Sequence, residues 1–265
     1  MAMDATKDEL VESQSNKTLC LIHDDGASAM GWSNKIIALN CAMDFAREQG
    51  SKLAINEPDL FTNTEYPDLE TNLNHFVGYS ARRNDLLLDP ETYDACDSTL
   101  TWSSAFYRMR GPDGAWDQCF IHPLSPDLLS RGRRALDEQG LARLPSVHLR
   151  GLDGQCEARY SDRSFLCPRA VPAAASPGSP CAPARERLRR RYGAADFVVY
   201  SDGQGLRAAA ELGRPDSHDF FTQYAMMALS PLHVGNVLSS VDLLVAAWRD
   251  HLHGPGSSAP HACYG

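Results

Sequence analysis

TLCLIHDDGASAMGWSNKIIALNCAMDFAREQGSKLAIN, residues 18–56, reads as strand, loop, helix and strand. Thr18–His23 is a short continuous apolar run, the pattern of a buried strand. Asp24–Asn34 is loop-like and carries Gly26 and Gly31. From Lys35 to Gln49 the residues Ile36, Ile37, Leu39, Asn40, Met43 and Ala46 recur at helical spacing. Gly50 is placed to end that helix as its C′ residue. Lys52–Asn56 is the next strand. A strand–helix–strand unit builds a parallel sheet with a right-handed crossover, so the fold class predicted is α/β.

Working outward, residues 57–116 are rich in Asp, Asn, Tyr and Pro and hold no clean period; irregular loops with short helices are expected there. Ser125–Gln139 predicts a helix with Ser125 as N-cap and Pro126 at N1. Ser146–Leu149 (SVHL) and Ala195–Tyr200 (ADFVVY) predict strands, the second by the strongest such signal in the chain. Helices are expected from Arg185, over Leu206–Gly213, over His218–Leu229 and over Ser239–His251, with a short strand at Leu232–Val234. Both halves therefore alternate β and α. Residues 168–184, PRAVPAAASPGSPCAPA, are too rich in Pro, Ala, Ser and Gly for a packed element and read as a flexible insertion. The domain division expected is a disordered 1–17, a first Rossmann-like domain 18–140, a second 141–254 holding the insertion, and a tail 255–265.

Composition narrows the partners. With Lys+Arg 25 against Asp+Glu 34, the net charge is −9, which disfavours an extended polyanion: no nucleic-acid partner is expected. A small phosphate-bearing ligand is still open, because local donors decide that. No apolar run is long enough to span a membrane, and the polar N-terminus lacks the apolar core of a signal peptide. KDEL stands at residues 7–10, away from the C-terminus where it is read. The reading leaves open a cytoplasmic protein or a secretory-pathway one whose anchor lies outside this sequence. Of the 8 cysteines none forms a C-x-x-C pair, so a structural zinc site is not expected. Cys20 and Cys41 lie in apolar segments and read as buried thiols; the others lie in loop-like stretches and could pair in an oxidising compartment.

Three constellations could carry chemistry. Gly31-Trp32-Ser33-Asn34-Lys35 stands at a strand-to-helix turn, where unpaired N–H groups and partial positive charge await an anion. Gly31 would let a ligand approach the backbone, and Asn34 offers a donor and an acceptor. His148-Leu149-Arg150-Gly151-Leu152-Asp153 leaves the end of a strand, the place where open α/β sheets bind ligands. Arg150 presents a planar fork that matches phosphate oxygens, and Asp153 can hold that Arg or touch a sugar hydroxyl. Alternation puts His148 and Arg150 on one face, opposite Val147 and Leu149. Ser201-Asp202 and Gly235-Asn236-Val237-Leu238-Ser239-Ser240 each close a strand and open a helix. Asp202 suits a base or ribose; Ser239 and Ser240 suit N-capping, phosphate binding or both.

Together these pieces resemble the fucosyltransferase superfamily, which includes the protein O-fucosyltransferases and the α1,2- and α1,6-fucosyltransferases. The likeness lies in Gly31-Trp32-Ser33-Asn34, in His148, Arg150 and Asp153, in Ser201-Asp202, and in HVGNVLSSVDLLVAAWR with Ser239, Ser240 and Arg249. It covers roughly residues 18–56 and 145–250. The resemblance implies a GT-B-like fold of two Rossmann-like halves, the first on the acceptor side, with parallel sheets and a cleft between them. It implies inverting sugar transfer from GDP-fucose to a glycan or protein acceptor, with no cofactor and no metal. In that setting Arg150 holds the β-phosphate and stabilises the leaving group's charge, Asp202 positions the nucleoside, Ser239 and Ser240 bind diphosphate oxygens, and Gly31 and Asn34 lie across the cleft. Gly151 departs from the Arg-Arg of many relatives. No catalytic base is identifiable; Asp24, Asp25 and Glu57 are candidates by position only.

A non-catalytic or degenerate nucleotide- or glycan-binding protein of the same fold is the alternative. A hydrolase is weaker, because Tyr200-Ser201-Asp202-Gly203 follows a strand without the G-x-S-x-G frame, and His218 or His233 as base has no sequence support. A nicotinamide dehydrogenase is weaker still, since Gly203-x-Gly205 lacks the third glycine.

Overall fold

In the computed structural model, the described residues are 17–28, 30–55, 69–78, 86–88, 95–109, 119–149, 189–190, 192–193, 196–201, 213–216, 218–235 and 239–257. Two four-stranded sheets, each wholly parallel, organise them. In the first, β1 (Thr18–Ile22) lies between β2 (Lys52–Ile55) and β4 (Ser98–Thr101), and β3 (Leu86–Leu87) flanks β2. In the second, β5 (Ser146–Leu149) lies between β6 (Val198–Ser201) and β8 (His233–Val234), and β7 (Arg214–Pro215) flanks β6. Each sheet thus runs third, second, first, fourth in its own chain order. The fourth strand lands on the opposite side of the first, which leaves a crevice at the carboxyl ends where the direction of winding reverses.

Helices whose bounds are described are α1 (Asp25–Ser28), α2 (Trp32–Glu48), α3 (Leu69–Phe76), α4 (Trp102–Tyr107), α5 (Pro126–Glu138), α6 (Phe220–Leu229) and α7 (Ser240–His253). α5 begins as its sequence dictates: Ser125 Oγ accepts from the Leu128 N–H at 3.3 Å and Pro126 is the first helical residue. Such a cap stabilises by about 1 kcal/mol. Gly50 follows α2 at φ 62°, the left-handed C′ position read from the sequence.

Several elements depart from expectation. α2 starts at Trp32 rather than Lys35, so Ser33 and Asn34 belong to its first turn. Short polar side chains are tolerated there and had read as loop. The region 57–116 contributes β3 and β4 as well as short helices. β4 carries exposed Ser98 and Thr99, so it lacks an apolar signature. β7 contains Pro215, which suits an edge strand and hides the strand from a periodicity reading. Cys20 and Cys41 are not free thiols: Cys20 pairs with Cys96 and Cys41 with Cys119. A half-cystine in an apolar run is as buried as a free thiol, so burial could not tell the two apart. The insertion 168–184, the helix Leu206–Gly213 apart from Gly213 itself, and the ends 1–16 and 258–265 lie outside the described residues.

One apolar core runs through both halves. Its centre is aromatic: Trp32 meets Phe76 at 4.6 Å between ring centroids, Phe76 meets Phe221 at 5.1 Å, and Tyr224 meets Trp248 at 5.4 Å. These rings come from α2, α3, α6 and α7. α5 packs closely on α6 because residue 132 is glycine; a Cβ there would stand 2.6 Å from the Ala225 Cβ. Among the described residues no helix is long and apolar enough to cross a membrane.

Candidate functional site

The carboxyl edge of the second sheet opens on a cavity of about 210 Å³. α2 supplies Trp32, Ser33 and Asn34 after Gly31; β5 supplies His148 and β6 Tyr200; α7 supplies Ser240 and Val241. Phe220, Gln223 and Met227 of α6 form the remaining wall. The cavity is therefore bounded by both halves of the chain.

Two helix starts meet here, those of α2 and α7, whose residues 31–34 and 240–241 line the cavity. Gly31 has no side chain to cap α2, and the Ser239 hydroxyl does not cap α7. Elsewhere Thr101, Ser125 and Asp219 cap α4, α5 and α6 with side-chain oxygens. A helix start carries partial positive charge and spare N–H donors, so two of them at one cavity favour an anion. A Cβ at Gly31 would meet nothing within 4 Å, and its φ of −68° is open to any residue. Packing does not demand glycine there.

His148 and Tyr200 are register partners on neighbouring strands, so their side chains leave the same face of the sheet. The opposite face carries the fully buried Val147. Tyr200 is 1% exposed and its hydroxyl has no hydrogen-bond partner among the described residues. Burial, reinforced by the nearby Asp216 charge, pushes that phenol well above its ordinary range, so it stays a donor.

Behind His148 lies a chain of buried polar groups. His148 Nδ1 is 2.9 Å from Asp242 Oδ2, and His233 Nε2 is 2.9 Å from Asp242 Oδ1. Ser146 Oγ is 2.8 Å from His233 Nδ1. Asp242 and His233 are sealed from solvent. Burial alone would push the Asp242 carboxyl up, but the facing His148 ring and hydrogen bonds from both imidazoles outweigh it and hold the group well below the usual carboxylate range. Burial pulls His233 down from its ordinary value despite Asp242 and keeps it neutral. His233 is thus a structural imidazole, out of reach as a base.

The sequence-predicted residues fall into three groups. Gly31, Asn34, His148 and Ser240 line the one cavity. Ser239 stands directly behind Ser240 as N-cap, 2% exposed, and Ser201 closes β6 opposite Leu149 of β5. Arg150, Gly151, Asp153 and Asp202 lie outside the described residues, as does Glu57. Of the acids suggested by position, Asp25 is exposed in α1, and Asp24 is tied to the Ser103 hydroxyl at 3.1 Å and the Ala27 N–H at 3.1 Å. Burial raises Asp24, yet the hydrogen bonds from Ser103 and its neighbours prevail and lower it, which suits an anchor rather than a base. Arg249 is a clamp: buried at 1% exposure, it donates to the carbonyls of Met227, Ala228, Ser230, Pro231 and Ser257. Among the described residues no three His, Cys, Asp or Glu side chains converge as a metal-ligand set.

Sequence reasoning missed Tyr200 and Asp242 as site residues. The alternation that placed His148 would have placed Tyr200 once β5 and β6 were known to be neighbours. Asp242 carried no signal beyond that of an acid in a first helical turn.

No known family's sequence pattern matches the chain, and no curated protein does. Solved structures do. POFUT1 in complex with GDP-fucose matches with a TM-score of 0.52 and 14% identity, over 95% of this chain and 98% of that one. POFUT1 in complex with GDP matches with 0.52 and 14%, over 94% and 98%. The apo form of POFUT1 matches with 0.51 and 13%, over 97% and 99%. At such identity the likeness establishes the fold, which is the GT-B-like arrangement of two Rossmann-like halves with parallel sheets and a cleft between them.

Proposed function

We propose that the chain is a fucosyltransferase-like glycosyltransferase that moves a sugar, with inversion, from a nucleoside-diphosphate donor to a hydroxyl of a glycan or protein. GDP-fucose is the favoured donor. The observation that carries this reading is the meeting of two helix starts, a His and a buried tyrosine hydroxyl at the switch point of the second sheet. That is where a nucleotide phosphate is received in open α/β sheets. The likeness in fold to POFUT1, solved with GDP and with GDP-fucose, supports the choice of donor.

Arg150 follows Leu149, the last residue of β5, in the sequence. In this reading it neutralises the leaving diphosphate, with Ser239, Ser240 and the start of α7 sharing the charge, while Asp202 and Asp153 meet the nucleoside. Gly31 leaves open space for a ligand at the start of α2, and Asn34 faces the acceptor side. The two disulfides support residence in an oxidising compartment.

One observation favours the second reading, a binding protein without turnover: among the described residues no carboxylate lines the cavity. Calorimetric titration with GDP and GDP-fucose, followed by an assay for GDP release, separates the two. Binding with release supports the transferase, and binding without release the second reading. The Arg150→Ala variant should lose binding or turnover while remaining folded; wild-type affinity in that variant overturns the site.

A further inference from the structure

Asp242 is fully buried, and each of its two oxygens faces an imidazole, Oδ2 that of His148 and Oδ1 that of His233. A carboxylate only accepts hydrogen bonds, so both facing nitrogens must be donors: His148 carries a proton on Nδ1 and His233 on Nε2. His233, neutral, then has a bare Nδ1, which accepts from the Ser146 hydroxyl at 2.8 Å, a shorter contact than that hydroxyl's other one, 3.3 Å to the Leu232 carbonyl. Every nitrogen of the pair is thereby assigned except His148 Nε2, which has no partner among the described residues. His148 lines the cavity while its Nδ1 side is tied inward. Residue 235, which follows β8, is glycine, and a Cβ there would stand 2.2 Å from Asp242 Oδ1. The backbone beside the carboxylate has been cleared for it.

We propose that Asp242 is a positioning residue: it orients the His148 ring and holds a proton on Nδ1, so that Nε2 meets a phosphate oxygen of the bound nucleoside diphosphate. The role of Nε2 rests on the donor reading above; the assignment of Nδ1 does not. A phosphate oxygen only accepts, so Nε2 must take up a second proton to meet one; the ring is then a charge-assisted donor with the Asp242 carboxylate on its inner side. A buried acid thus serves an anion site without repelling the anion.

Two measurements test this on the full chain. Long-range ¹H–¹⁵N correlation spectra of the free wild-type protein should show His148 Nδ1 protonated; a bare Nδ1 overturns the assignment without any variant. Calorimetric titration with GDP should show Asp242→Asn, of equal volume, binding about 10- to 100-fold more weakly than wild type, the range expected when a hydrogen bond to a charged group is lost. The same variant should lose the wild-type tautomer signature. An Asp242→Asn protein that keeps both the signature and the wild-type Kd overturns the positioning role. If wild type itself does not bind GDP, the donor reading and the phosphate contact both fall, and the spectra still decide the tautomer.

Discussion

Ser33 Oγ and Tyr224 OH lie 2.5 Å apart although 191 residues separate them. Ser33 is in the first turn of α2 and Tyr224 is inside α6, so the bond joins the two halves at the cavity wall. Tyr224→Phe removes one partner and leaves the Ser33 hydroxyl in a buried place. The variant should lose about 1–2 kcal/mol of stability in urea unfolding. Ser33→Ala in the Tyr224→Phe background should cost less than Ser33→Ala alone, and a strictly additive pair would deny the coupling.

Tyr200 should behave in the opposite way. Its buried hydroxyl has no partner among the described residues, so Tyr200→Phe should leave the ligand-free protein as stable or raise stability by up to about 1 kcal/mol. GDP affinity should fall several-fold in the same variant, because the phenol is then missing from the cavity. Thermal unfolding with and without GDP reads both effects, and a marked loss of stability without ligand would contradict the account.

Local signals were legible in the sequence wherever an element states itself. SVHL and ADFVVY announced the paired strands β5 and β6, and Ser125-Pro126 announced the start of α5. Gly31, Asn34, His148 and Ser240 could be nominated one at a time, because each sits at an element's end. What was not legible depends on which elements become neighbours. Asp242 is 94 residues from His148 and reaches it only because β8 lies beside β5. The disulfides span 76 and 78 residues, and no spacing rule pairs cysteines at that range.

Arg249 should prove structural rather than ligand-binding. Its guanidinium gathers carbonyls from the end of α6, the turn into β8 and Ser257. Arg249→Met leaves those carbonyls without their donor in a buried site. The expected cost is on the order of 3 kcal/mol, read as a lower midpoint in urea. GDP affinity of the protein that remains folded should be unchanged.

Acid should weaken the fold earlier than carboxylates alone dictate. Burial lowers His233 below its ordinary 6.5, so the unfolded chain takes up a proton that the folded protein refuses. Half-buried His75, also lowered by burial, acts with the same sign. Stability should therefore decline as pH falls below about 6.5. Asp242 adds a second decline: its contribution is present above 3.8 and lost as pH falls toward its depressed folded value. Urea midpoints measured from pH 8 to pH 4 check the direction, and a midpoint rising from pH 7 to pH 5 would contradict it.

Reduction should loosen the first half. By chain entropy, cross-links closing loops of 76 and 78 residues stabilise on the order of 4 kcal/mol each. A strong reductant should lower the thermal midpoint by several degrees or more. Peptide mapping without reduction should recover Cys20 joined to Cys96 and Cys41 joined to Cys119; other partners would refute the pairing.

The aromatic cluster of Trp32, Phe76, Phe221, Tyr224 and Trp248 carries one more consequence. Rings from both halves share it, so rocking one sheet against the other would tear ring contacts apart and wet them, at several kcal/mol in sum. Among the described residues, the two halves are held together by packed rings. A ligand entering between the halves would then have to fit a spacing that these rings hold, rather than draw the halves together around itself.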